Sequence, residues 1–412
     1  MKFLHVIASM NPHRGGPCQG IRSFATWFNE LGHAFEVVCL DDPNSEFLSL
    51  EKFPIHALGQ GRGAWSYHSK LLPWLNDNLP RFDAVILNGL WQYPGYALSK
   101  ASQHPRMPPY FIFPHGMLDP WFQRAPERRM KAIRNWLYWK VIENRIVCDA
   151  SALLFTCAEE MRLAQKTFRP YQPKREINVG FGIPQPPEYH IGMKAAFMEK
   201  CSGMNGGPFF LFLGRIHPKK GMDLLIEAFS AICHSPPATR RSSPPKLVIA
   251  GPGLETAFGK KMQELAAKIC PPDSVFWPGM LAGDAKWGAL YSAEAFALTS
   301  HQENFGIAVV EALACGLPVL ISNQINIWRE IEKDKAGLVG DDTHEGAEQL
   351  FRRWGSLLPE DKAVMKRAAK SSFENRFGIA LAAKNLLTTM EELTMRSRIP
   401  EKLSENVAKI PG

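Results

Sequence analysis

Short apolar runs punctuate the first half of the chain at residues 2–8, 35–40, 83–87, 110–113 and 152–155, each bounded by turn-forming or polar positions. Runs of this length without polar alternation suit strands buried on both faces, as in a parallel sheet. A glycine-rich loop and a helical stretch from about 21 to 31 separate the first two, so this half reads as a doubly wound α/β sheet. Proline and glycine between 185 and 207 interrupt the rhythm, which restarts at 208–213 and continues through 247–250, 275–277, 295–298 and 318–321. The pattern predicts two similar α/β domains in tandem, facing across a cleft. The expected division is 1–186, a linker at 187–207, a second domain at 208–372, and a C-terminal helix and tail at 373–412.

Apolar positions Ala380, Leu381, Leu386, Leu387, Met390 and Leu393 can share one face of a helix over 377–393. That helix either crosses back to the first domain or packs on its own; spacing alone favours neither. Residues 235–245, rich in serine, proline and arginine, read as a surface loop, and the tail beyond 399 as frayed.

A length of 412 residues exceeds what one core usually serves, which agrees with two domains. With 45% hydrophobic and 21% charged residues the composition is ordinary for a globular protein and excludes a disordered or fibrous class. The eight cysteines are scattered without a C-x-x-C pair, so they read as reduced thiols rather than zinc ligands or a disulfide framework. The N-terminal apolar run is too short for a signal-peptide core and no stretch is apolar enough to span a bilayer, which predicts a cytoplasmic protein. The net charge of +8 favours anionic partners. It is uneven: residues 124–175 hold twelve Lys and Arg against five Asp and Glu.

Candidate chemistry concentrates in the second half. Glu303 and Glu311 lie eight positions apart around a strand-loop-helix junction, with the helix expected to begin near Phe305 or Gly306 and to stop at Gly316. The free N–H groups of its first turn can hold a diphosphate, while the two carboxylates are suited to sugar and ribose hydroxyls. A capping group and a solvated helix residue would satisfy the same spacing. Arg215 and Lys220 follow an apolar strand and precede a helix, where ligands bind open α/β sheets and where cations can neutralise a leaving diphosphate. Lys219 and Lys220 also fit a plain solvated loop. In the first half, Gly15-Gly16-Pro17 allows either a close approach to a ligand or a tight turn, and His115 and Asp119 sit at a strand end.

Together these segments resemble glycosyltransferase family 4, retaining transferases of the GT-B fold with two Rossmann-like domains. The resemblance spans nearly the whole chain. It rests on Gly15-Gly16, Pro114-His115-Gly116, residues 178–184, Gly214-Arg215 with Lys220-Gly221, residues 250–253, and the Glu303 and Glu311 pair. It implies that Arg215 and Lys220 hold the donor diphosphate and that Glu311 binds the nucleotide ribose. Glu303 and the segment Asn304, Phe305, Gly306 and Ile307 would meet the donor sugar, His115 would sit beside it, and Gly15 and Gly16 would approach phosphate or acceptor. The leaving phosphate would help deprotonate the incoming hydroxyl on the same face, which explains the lack of an obvious nucleophile. No tightly bound cofactor or metal is implied; Asp41-Asp42 reads as a strand-end turn. The donor is a UDP- or GDP-sugar and the acceptor a glycan or lipid-linked molecule, in surface polysaccharide biosynthesis. Residues 178–180 depart from the family's usual Pro-Asn-Gly and stay outside the site.

Between 128 and 146, Arg128, Arg129, Lys131, Arg134 and Lys140 interleave with Trp136, Tyr138 and Trp139. A helix of this kind can lie on an anionic membrane surface, or its aromatics can belong to the core. No nucleic-acid module is present, so nucleic acid is not an expected partner. The alternative to a transferase is a degenerate sugar-binding or scaffold subunit, which the cationic and acidic residues above argue against.

Overall fold

The computed structural model describes residues 1–104, 107–125, 128–204, 206–234 and 245–398. It divides into two compact units, Met1–Gly182 with Ile379–Gly412, and Ile183–Gly378. Most of the expected 235–245 loop and the tail beyond 399 lie outside the described residues.

The first unit holds a seven-stranded sheet of β1 (Lys2–Ile7), β2 (Ala34–Cys39), β3 (Ile55–Ala57), β4 (Ala84–Asn88), β5 (Tyr110–Phe113), β6 (Ala152–Phe155) and β7 (Glu176–Asn178). The strands are all parallel in the order β3-β2-β1-β4-β5-β6-β7. The inner strands are mostly apolar because helices cover both faces, with His5 on β1 and Asn88 on β4 as buried polar exceptions. β3 and β7 were not legible in the sequence: both are three-residue edge strands with polar residues, and β7 is not fully buried. The first helix is Gly16–Glu30 rather than 21–31, and this corrects the reading of Gly16 as loop. Gly15 takes φ 93° as its cap, and Pro17 brings a helical φ to the first turn.

The second unit holds β8 (Phe209–Leu213), β9 (Lys246–Ala250), β10 (Val275–Gly279), β11 (Ala295–Leu298), β12 (Val319–Ser322) and β13 (Gly337–Gly340). They form a parallel sheet in the order β10-β9-β8-β11-β12-β13. Pro278 is tolerated because β10 is an edge strand. The linker expected at 187–207 is corrected: Ile191–Lys200 is a helix of this unit, packed on the helix Gly283–Ser292. The two backbones approach so closely that a Cβ on Gly288 would lie 1.9 Å from the Met193 carbonyl oxygen.

The C-terminal helix runs Ile379–Arg398, with a π-helical turn at Phe373–Phe377 before it. It groups with the first unit and packs on the helix Gly16–Glu30, which decides between the two readings left open by its periodicity. Ala382, Ala383, Leu386, Leu387 and Met390 form its buried stripe. None of the eight cysteines forms a disulfide.

Candidate functional site

In each unit the sheet order reverses beside the first strand, between β8 and β11 in the second unit and between β1 and β4 in the first. The crevice outside the strand ends at such a point is where open α/β sheets bind ligands. Arg215 and Lys220 follow β8, Glu303 follows β11, Gly15 and Gly16 follow β1, and His115 follows β5.

In the second unit, β8 leads through Arg215 into a short 3-10 turn, Pro218–Lys220, capped by the His217 side chain accepting from Lys219 N–H (3.2 Å). Gly221 closes the turn at φ 58° with its Cα against the Thr299 carbonyl, 2.0 Å from where a Cβ would stand. That contact draws the β8 loop onto the loop after β11, and His301 N–H donates to the Lys219 carbonyl (3.0 Å) between them. Lys220 thereby reaches Glu303, its ammonium donating to Oε2. Burial by itself would raise the Glu303 carboxyl, but the ammoniums of Lys220 and Lys219, the Lys220 hydrogen bond and the Arg215 guanidinium outweigh it and hold the group below its usual range. Glu303 is therefore an anion set among three cations.

The loop that carries it is tied to the segment after β12 by hydrogen bonds. Glu303 N–H donates to the Gln324 carbonyl and its own carbonyl accepts from Asn326 N–H, both at 3.0 Å. Asn326 Nδ2 also donates to Asn304 Oδ1 (3.3 Å), and Phe305 packs edge-on to Phe377. Gly306, at φ 74°, caps the helix Ile307–Ala314, as expected, and Gly316 follows its end at φ 69°. The cap makes no side-chain hydrogen bond and the Val309 N–H turns back to the Gly306 carbonyl (2.8 Å), which leaves the N–H groups of Ile307 and Ala308 for a ligand. Glu311 lies on this helix and receives the Lys286 ammonium at 2.6 Å.

Lys286 was not found by sequence reasoning. It comes from the helix Gly283–Ser292 twenty-five positions earlier, and its only local signal is an adjacent tryptophan, over whose ring it sits at 4.5 Å.

In the first unit, His115 follows β5 at φ 50°. Its Nε2 faces Asn88 Oδ1 (3.2 Å), and Asn88 Nδ2 faces His5 Nδ1 (3.1 Å), so a row with His5 and Asn88 buried and His115 half-buried crosses β1, β4 and the β5 end. Burial pulls His115 down to about 4, and burial with the neighbouring His115 pulls His5 down to about 3. Both rings are neutral near pH 7. The turn is pinned from below by Glu160, whose carboxylate accepts from Gly116 N–H (2.5 Å) and Thr156 N–H (2.8 Å). Asp119 is structural: buried, it accepts from Trp121 N–H (2.8 Å). Gly15 and Gly16 lie at the start of the first helix, beside a cavity of about 800 Å³ at the strand ends of this unit, lined in part by Pro17, Asp41, Asp42, Asn88, Trp65, Trp91, Arg134 and Tyr138. In the sequence Asp41-Asp42 reads as a strand-end turn. Asp41 does hold that corner, accepting from Ser9 Oγ (2.6 Å) and Met10 N–H (2.7 Å), while also facing the cavity.

Among the described residues no three His, Cys, Asp or Glu side chains converge to hold a metal ion. No described helix is long and apolar enough to cross a membrane.

Two family models match the chain, "Glycosyl transferase 4-like domain" over residues 15–177 and "Glycosyl transferases group 1" over 197–371. Its relatives include the D-inositol 3-phosphate glycosyltransferase of Saccharomonospora viridis, 32% identical over 55% of this chain and 52% of that protein. The mannosylfructose-phosphate synthase of Agrobacterium fabrum is 29% identical over 33% of this chain and 30% of that protein. The chain thus spans about half the length of the first of these relatives, 52%, and less of the second. Solved structures of the same fold include Anabaena HepE in complex with UDP and glucose, with a TM-score of 0.74, 17% identity, and coverage of 95% of this chain and 100% of that one. Sucrose-phosphate synthase of Thermosynechococcus elongatus has a TM-score of 0.71, 16% identity, and coverage of 96% and 100%. With both units matched in order by their own family models, the chain belongs to the GT4-type glycosyltransferases and carries the GT-B fold.

Proposed function

We propose that the chain transfers a hexose-type sugar from a nucleotide-diphosphate donor to a glycan or lipid-linked acceptor, with retention at the anomeric carbon, in surface polysaccharide biosynthesis. The observation that carries this is the cluster of Arg215, Lys220 and Glu303 beside the open first turn of the helix Ile307–Ala314. The second unit takes the donor in this reading and the first the acceptor. Breaking the bond between the anomeric carbon and the diphosphate leaves negative charge on the departing phosphate, which Arg215, Lys220 and the free N–H groups from Gly306 and Ile307 stabilise. A phosphate oxygen takes the proton of the acceptor hydroxyl as its oxygen bonds the same face of the sugar. Glu303 accepts from donor-sugar hydroxyls and fixes Lys220, and Glu311, held by Lys286, accepts from the ribose. His115, neutral, can donate to or accept from a sugar hydroxyl at the strand ends of the first unit. Anabaena HepE with UDP makes UDP the first base to test, with GDP as the alternative.

The helix Arg129–Tyr138 and the turn after it support a peripheral contact with an anionic membrane from the cytoplasmic side. Met130 (80% exposed), Ile133 (57%), Leu137 (52%) and Val141 (77%) recur at helical spacing, with Lys131 and Lys140 also exposed. Trp139 goes the other way, fully buried with its Nε1 donating to the Pro170 carbonyl (2.9 Å). Trp139 thus belongs to the core, while the exposed residues are the ones the membrane proposal uses.

The test is transfer from UDP- and GDP-hexoses, followed by product mass and by the anomeric configuration from NMR. Glu303→Ala is expected to lower kcat by 100-fold or more, on the order of 3 kcal/mol, with the fold intact. Inversion at the anomeric carbon, or an unchanged rate in the variant, overturns the mechanism. A degenerate binding subunit would bind nucleotide sugar and give no product with any acceptor.

A further inference from the structure

We propose that the first-unit cavity is built for an uncharged saccharide and rejects a phosphorylated one. This rests on the reading that the first unit takes the acceptor.

The cavity wall carries two carboxylates, Asp41 and Asp42, against one guanidinium, Arg134. Arg134 donates to Asn135 Oδ1 from Nη2 (3.0 Å) and Nε (3.3 Å), which orients it and leaves its charge, so the wall holds one more anion than cation. A phosphomonoester brings nearly two negative charges, and its recognition needs clustered cations or a run of free backbone N–H groups. The helix Gly16–Glu30 does begin beside the cavity, but Pro17 removes one first-turn donor. Like charges at Asp41 and Asp42 then oppose the anion.

The same wall has what a neutral sugar ring needs. Trp65, Trp91 and Tyr138 offer flat apolar faces for the C–H side of the ring, and the carboxylates accept from its hydroxyls. The aromatic wall is held in place: Trp65 Nε1 donates to Tyr138 Oη (2.6 Å), and Trp91 packs on Trp139 and Phe168. Ser66 and Trp91, both in the wall, have φ of 55° and 72°, a left-handed backbone that side-chain-bearing residues adopt at a cost. Strain of this kind is concentrated at binding sites. Asn88, which lines the floor, ties the cavity to His115.

The experiment is saturation-transfer NMR on the full chain with methyl glucoside, methyl mannoside and methyl galactoside, each with and without a 6-phosphate. Binding of UDP and GDP is followed in parallel on the same samples. At least one neutral hexoside is expected to bind, with its 6-phosphate about tenfold weaker or more. Asp42→Lys, at an exposed position, is expected to reverse that preference. Trp91→Ala is expected to weaken the neutral sugar by a similar factor, and Asp42→Lys keeps the test valid if that variant does not fold. Equal or tighter binding of the phosphorylated sugars overturns the proposal, as does an unmoved preference in Asp42→Lys. Nucleotide binding with no hexoside bound overturns it while leaving the donor site standing; loss of both takes the transferase reading down with it.

Discussion

Glu143 shows how one side chain shapes the behaviour of its surroundings. It ends the π-helical turn Trp139–Glu143, is buried, and among the described residues no cation or side-chain donor pairs with its carboxylate. Burial pushes its carboxyl up to about 8, with only the Trp91 backbone acting against it. In the unfolded chain the group ionises near its ordinary value, about 4.3. The folded state therefore binds an extra proton between those values, and stability falls as pH rises through that window. Glu143→Gln is expected to remove the loss, so that its melting temperature relative to wild type is higher at pH 8 than at pH 5. Each unit of pH in the window is worth at most about 1.4 kcal/mol. An identical difference at both pH values would show that Glu143 is not held protonated. His5 and His115 act at the acid end. Their folded values lie below the unfolded one, so stability falls as pH drops from about 6.5 towards 4, when the unfolded chain binds protons that these rings refuse. Replacing His5 with Gln is expected to flatten that acid limb in a pH series of thermal melts.

At the scale of elements, the glycines of the second unit tie its loops together. Gly251, at φ 148°, lies so close to the chain before Arg215 that a Cβ would stand 1.9 Å from the Gly214 carbonyl oxygen. Gly251→Ala must push the two strand-end loops apart, and a loss of at least ~2 kcal/mol in denaturant melts with weaker nucleotide binding is expected. Intact nucleotide binding would mean that the β8 loop is free to adjust. The long apolar strands and the helix after Gly306 were legible because burial on both faces writes a continuous apolar run, and because a glycine before an apolar helix marks its start. β3 and β7 were not, being short, polar and at edges. The segment 187–207 read as a linker from its prolines and glycines. Its helix is specified by its partner, through Gly288, and that is not visible locally. The same holds for Lys286, Asn88 and His5: their roles come from strands and helices brought together by the fold, whereas Arg215, Lys220, Glu303 and Glu311 could be picked out by their place after strands.

For the whole molecule, the uneven positive charge and the exposed stripe of Met130, Ile133, Leu137 and Val141 belong to one account of where it acts. Binding to vesicles containing anionic lipid is expected at low salt and to weaken as salt screens the basic residues. Replacing Ile133 and Val141 with Glu should abolish co-sedimentation and leave nucleotide binding unchanged; co-sedimentation that persists would exclude this helix as the contact. Family and fold were readable from the order of motifs along the chain, while base, sugar and acceptor depend on cavity walls assembled from distant loops. The central claim is that Arg215 and Lys220 make a nucleotide-diphosphate site in the second unit, and calorimetry with UDP and GDP tests it most directly. The account predicts that one nucleotide binds to the wild type and that Arg215→Ala and Lys220→Ala each weaken it at least about tenfold, or 1.4 kcal/mol. Binding that both variants leave unchanged, or no binding of either nucleotide, would contradict it.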